Sequence, residues 1–98
     1  MARLNRNHRK EEGIQFRTSN SSIEVVVSEI LGVDGFRDAK VSVTGVPGVD
    51  QIDMKCNTPY QLTDDISLRI MPRRLKKGRA VQMEYAFPNE YDVHEYSV

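Results

Sequence analysis

At 98 residues the chain is one small domain, with room for a single modest core and none for a second. Apolar residues make up 39% of it and charged residues 29%, which is polar for a globular protein yet outside the disordered class, and 14 Lys and Arg balance 14 Asp and Glu, so no net charge draws the chain to nucleic acid. The single cysteine, Cys56, excludes an internal disulfide framework, no apolar run nears the roughly 18 residues of a membrane helix, and no apolar stretch behind a basic start suggests a secretory leader; the expected setting is cytoplasmic.

Residues 1–12, "MARLNRNHRKEE", hold one Leu and no apolar period, and are predicted to be a flexible basic arm, either simply solvated or in contact with phosphate. From residue 13 onward short β-branched runs broken by Gly, Pro, Asn and Asp predict a single all-β domain to the end of the chain. "GIQFRT" alternates around Ile14 and Phe16. "IEVVVSEIL" sets Ile23, Val25 and Val27 on one face and Val26 and Ile30 on the other, as a central strand would. Asp34-Gly35 is a turn dipeptide; "AKVSVTGV" resumes the alternation at Val41 and Val43, Pro47-Gly48 breaks it, and "VDQIDMK" follows.

Beyond a turn-rich connection around Tyr60, "ISLRIM" points Ile66, Leu68 and Ile70 inward, and "AVQMEYAF" does the same with Val81, Met83, Tyr85 and Phe87. "EYDVHEYSV" closes the chain after Pro88-Asn89. The expectation is a small barrel or sandwich of about seven or eight short strands, antiparallel because the connections are too short for crossover helices.

Between the last two clear strands lies "PRRLKKGR", with five of the fourteen basic residues: Arg73, Arg74, Lys76, Lys77 and Arg79. It reads as a hairpin tip, with Pro72 ending one strand and Gly78 supplying a positive φ before the next. Such a loop either protects the sheet edge from aggregation or presents several charges to two or three phosphates. Arg69, Lys55 and Arg17 on neighbouring strands would extend a phosphate-binding face, and Phe36 and Tyr60 are the aromatics placed in loops. From Ala80 onward there is no Lys or Arg, whereas Glu84, Glu90, Asp92 and Glu95 make the C-terminus acidic.

Catalysis finds little support. His8 and His94 sit at opposite ends, Cys56 has no His nearby in sequence, Asp64-Asp65 would point to opposite faces of a strand, and no zinc spacing or Gly-rich phosphate loop occurs. A non-catalytic protein without metal or other cofactor is expected.

A faint internal echo of roughly 43 residues sets "IEVVVSEIL", "AKVSVTGVPG" and "VDQIDM" against "ISLRIM", "AVQMEYAFPN" and "YDVHEY", giving pseudo-repeats over residues 14–55 and 52–98. Each half is strand, loop, strand, Pro turn, strand. This order resembles the carbon storage regulator family of bacterial RNA-binding translational regulators. "YQLTDDISLRI" is similar to that family's second and third strands. "GRAVQMEYAFPNEYDVH" is similar to its Gly loop, fourth strand, Ala-Pro turn and last strand, with Phe87-Pro88 in place of Ala-Pro and Val93-His94 kept. The resemblance covers most of residues 14–95 and is one of pattern more than identity. It implies an all-β fold, RNA as partner and a fused double copy of a chain that otherwise forms a strand-exchanged homodimer, hence a monomer, although a homodimer stays open. The family's RNA-contacting Arg follows Val-His, and that slot is Glu95 here; Lys55 holds the corresponding place in the first half, and "IDMK" would have to serve both halves. From a different class, a small protein-interaction module docking through a strand edge or the charged loop fits the same residues.

Overall fold

A computed structural model describes residues 1–75 and 78–98. Among the described residues there are nine strands and no helix: β1 (Ala2–His8), β2 (Glu12–Arg17), β3 (Ser22–Leu31), β4 (Asp38–Thr44), β5 (Gln51–Met54), β6 (Tyr60–Gln61), β7 (Ser67–Met71), β8 (Val81–Phe87) and β9 (Asp92–Ser97). They form two antiparallel sheets, of order β1-β8-β7-β6 and β5-β4-β3-β2-β9, packed as a small sandwich rather than a closed barrel. The expected all-β antiparallel architecture is the one found.

The alternating residues meet between the sheets. Ile14 and Phe16 of β2, Val25 and Val27 of β3, and Val41 of β4 face Leu68 and Ile70 of β7 and Met83 and Tyr85 of β8, all of them buried. Phe16 is the hub of this core: its ring meets Tyr85, Phe87 and Tyr91 edge-to-face, with centroids 5.7, 5.4 and 6.1 Å away.

Three features depart from the sequence expectations. The predicted arm is instead an edge strand: β1 pairs with β8 from Ala2↔Phe87 to His8↔Val81. The backbone ladder holds it, which requires no apolar period, and its end is anchored by His8, buried with Nε2 2.7 Å from the Tyr85 hydroxyl. Ile30 does not lie opposite Val25 and Val27. The ladder slips between Val27↔Val41 and Glu29↔Lys40, leaving Ser28 as an extra residue whose hydroxyl donates to the Lys40 carbonyl, and this bulge reverses the phase so that Ile30 joins the same core.

The pseudo-repeat, thirdly, parts after its Pro turns. The Val46–Val49 turn, with Pro47 and a positive φ of 79° at Gly48, returns β5 to the edge of β4. β9, by contrast, leaves β8 and pairs with β2 in the other sheet. Since β1 crosses the opposite way, each sheet holds a run of strands from one half of the chain plus one strand donated by the other. The connection between the halves is tied down by Cys56, which bridges Ile70, and by Asn57 N donating to the Ile70 carbonyl over 2.8 Å.

Candidate nucleic-acid interface

One end of the sandwich gathers the hairpin of residues 72–80, the β3–β4 loop of residues 32–37, the tight β1–β2 turn and the segment following β5. The hairpin is where the sequence puts it, between β7 and β8, which pair from Ser67↔Ala86 to Met71↔Gln82. It is fastened to the β3–β4 loop by Leu75 N donating to Asp34 Oδ1 at 2.9 Å and by Arg37 Nη1 donating to the Ala80 carbonyl at 2.8 Å. Gly78 has the anticipated positive φ, 70°, and the Arg9 guanidinium lies close against it, so the β1–β2 turn joins the same end.

The expected phosphate contacts divide into groups. Arg73 and Arg74 are exposed, and among the described residues neither is in an ion pair. Arg9 and Lys10, which sequence reasoning assigned to an arm, are likewise exposed and unpaired with described residues on this same end. Lys76 and Lys77 lie outside the described residues. Arg79 is tied inward, its Nε and Nη2 donating to the Ile30 carbonyl at 3.2 and 2.6 Å, and so clamps the hairpin to β3.

The strand cations behave differently. Lys55 sits beside Asp38 at 3.6 Å on the same end. Arg69 lies on the outer face of its sheet, 3.3 Å from Glu84 and 3.4 Å from Asn57 Oδ1, and Arg3 reaches the same Glu84 oxygen at 3.4 Å. Arg17 is not part of this end. It pairs with Ser22 at the start of β3, whereas Arg79 holds Ile30, eight residues along the strand at about 3.3 Å each, or roughly 25 Å away.

Two acidic groups at this end are engaged, whereas Glu11 in the β1–β2 turn is exposed with no side-chain partner among the described residues. Asp38 accepts from Cys56 N at 2.8 Å, and Glu12 caps Arg9 N at 2.6 Å. The Cys56 thiol has its pKa raised by burial and further by Asp38, which keeps it protonated and a poor nucleophile. Among the described residues no cluster of His, Cys, Asp and Glu could hold a metal ion, and no helix is long and apolar enough to cross a membrane.

Glu95 lies on β9 where that sheet edge faces β1, its Oε1 3.3 Å from Arg6 Nε. The two aromatics expected in loops separate: Tyr60 is in strand β6, half-buried against the core, whereas Phe36 lies in the β3–β4 loop and is 66% exposed. The one sequence signal for that exposure is its place directly after Asp34-Gly35. Comparison with family models, with curated proteins and with solved structures finds no match.

Proposed function

We propose that the protein binds RNA without catalysis, through the end of the sandwich built from the 72–80 hairpin, and that it acts as a translational regulator in the cytoplasm. The observation that carries the reading is the exposure of Arg73 and Arg74 without an acidic partner among the described residues, with Arg9 and Lys10 arriving at the same end from the β1–β2 turn. Such a group attracts phosphate by displacing counterions, which needs no net charge on the whole chain. The reciprocal loan of β1 and β9 between the halves supports the resemblance to a fused, strand-exchanged pair, and its closure inside one chain supports a monomer over a homodimer as the functional unit.

Titration of a labelled single-stranded RNA against salt tests this. Affinity should fall by orders of magnitude from low to moderate salt. Changing Arg73 and Arg74 together to Ala should lower the slope of log affinity against log salt by about 1.4, because each phosphate neutralised on a single strand accounts for roughly 0.7 of it. Absence of RNA binding at low salt ends the proposal. A second reading, a protein partner on the same end, is favoured by the exposure of Val33 at 69% and Leu31 at 38%; it requires a complex that survives nuclease and forms on the folded monomer.

A further inference from the structure

The β3–β4 loop carries a feature independent of its charge. Phe36 N donates to the Val33 carbonyl at 2.9 Å and Gly35 has a φ of 93°, which is the pattern of a type II turn with Phe36 at its last position. The turn is braced on both sides. Asp34 accepts the Leu75 amide, Arg37 holds the Ala80 carbonyl, and the stem of Arg74 lies against Gly35, where an added Cβ would come within 3.1 Å of Arg74 Cγ. A phenyl ring 66% exposed on a turn this well anchored forgoes burial that would otherwise stabilise the fold.

We propose that Phe36 is a stacking subsite for an unpaired nucleobase, with Arg73 and Arg74 taking the adjoining phosphates. The inference rests on the RNA reading above and adds to it the place where a base is held. Charge complementarity decides the occupant: the turn that carries the ring packs at Gly35 against the stem of Arg74, an arginine without a described acidic partner, which suits a base joined to phosphates better than an uncharged apolar side chain. A rigid ring also needs little ordering when a base stacks on it, and stacking tolerates any base, so the subsite selects unpaired over paired RNA without reading sequence.

The probes are a dye-labelled mixed-sequence single-stranded RNA of about a dozen nucleotides, the same RNA as a duplex, and the same strand with abasic sites. Phe36→Ala should weaken binding of the base-bearing single strand roughly ten- to hundred-fold, leave binding of the abasic strand unchanged, and keep the wild-type salt slope. Phe36→Tyr should bind as wild type, because the π face remains. If Phe36→Ala binds like wild type while the Arg73 and Arg74 change weakens binding, the subsite is overturned and the RNA reading stands. Full affinity in Phe36→Leu likewise overturns it, since the interaction would be merely apolar. No binding of any RNA by the wild type at low salt removes both.

Discussion

"ARLNRNHRK" and "PRRLKKGR" look alike as sequence, each rich in Arg and Lys and poor in apolar residues. The fold treats them oppositely. The first is mostly strand β1, and the arginines along it meet acids: Arg3 lies 3.4 Å from Glu84 and Arg6 3.3 Å from Glu95. The second is a hairpin tip whose nearby carboxylate, Asp34, accepts a backbone amide and leaves Arg73 and Arg74 without a described partner. A cation on a strand faces side chains of neighbouring strands, where an acid can be set opposite it; a cation on a tip has mainly loop backbone beside it. Local charge density therefore does not tell which cluster is open to a ligand, and the neighbours across the ladder do.

The largest effect that could break this contrast is removal of residues 1–8. Were they a solvated arm, the loss would leave stability unchanged. As β1 they cover β8 along its whole length and supply the partner of the Tyr85 hydroxyl, so the truncated chain should lose at least about 3 kcal/mol in denaturant unfolding, a large share of a small domain's stability. Truncation of the hairpin side chains Arg73 and Arg74 to Ala should change stability by less than about 0.5 kcal/mol. Equal, small effects from both would mean that β1 does not hold in solution.

Why one cluster was legible and the other not follows from what fixes each. The hairpin is bounded by "ISLRIM" and "AVQMEYAF", whose period-two patterns are dictated by burial of Ile70 and Met83 against the opposite sheet. β1 is fixed by backbone pairing on an edge, where only His8 is fully buried, and nothing in "ARLNRNH" announces a ladder. The bulge at Ser28 is invisible for a related reason: it leaves the apolar residues in place and changes only which face they occupy. The absence of a described partner for Arg73 and Arg74, like the inward turn of Arg79 to the Ile30 carbonyl, depends on groups about 40 positions or more away in the chain, which no local window contains.

A smaller effect concerns the anchor at the end of β1. Burial pushes the His8 pKa below its ordinary 6.5, opposed by Glu12 and Glu95 and assisted by Arg6. The unfolded chain therefore takes up a proton that the folded one resists, and stability should fall as pH drops from above 6.5 through the lowered value in the native state. Thermal midpoints between about pH 8 and pH 5 read this, and His8→Asn should flatten the slope in that window. Tyr85→Phe leaves the ring nitrogen without its 2.7 Å partner and should cost about 1–3 kcal/mol near neutral pH. An unchanged pH profile in His8→Asn would show that the buried anchor is not what ties β1 to the core.

The smallest expected effect would turn the first cluster into a likeness of the second. Glu84 holds Arg3 and Arg69 together, and Glu95 holds Arg6, but these pairs lie on or near the surface, where such pairings contribute little. Changing both acids to Gln should alter unfolding free energy by no more than about 1 kcal/mol. It should at the same time release three arginines and raise RNA affinity several-fold, with a steeper salt dependence. If affinity rises as expected, pairing with acids is what silences the strand cations, and the distinction between the clusters is electrostatic. Unchanged affinity, with the Arg73 and Arg74 variant still impaired, would instead place the distinction in geometry: only the hairpin end, with its braced turn and exposed Phe36, would have the shape that a nucleic-acid strand can follow.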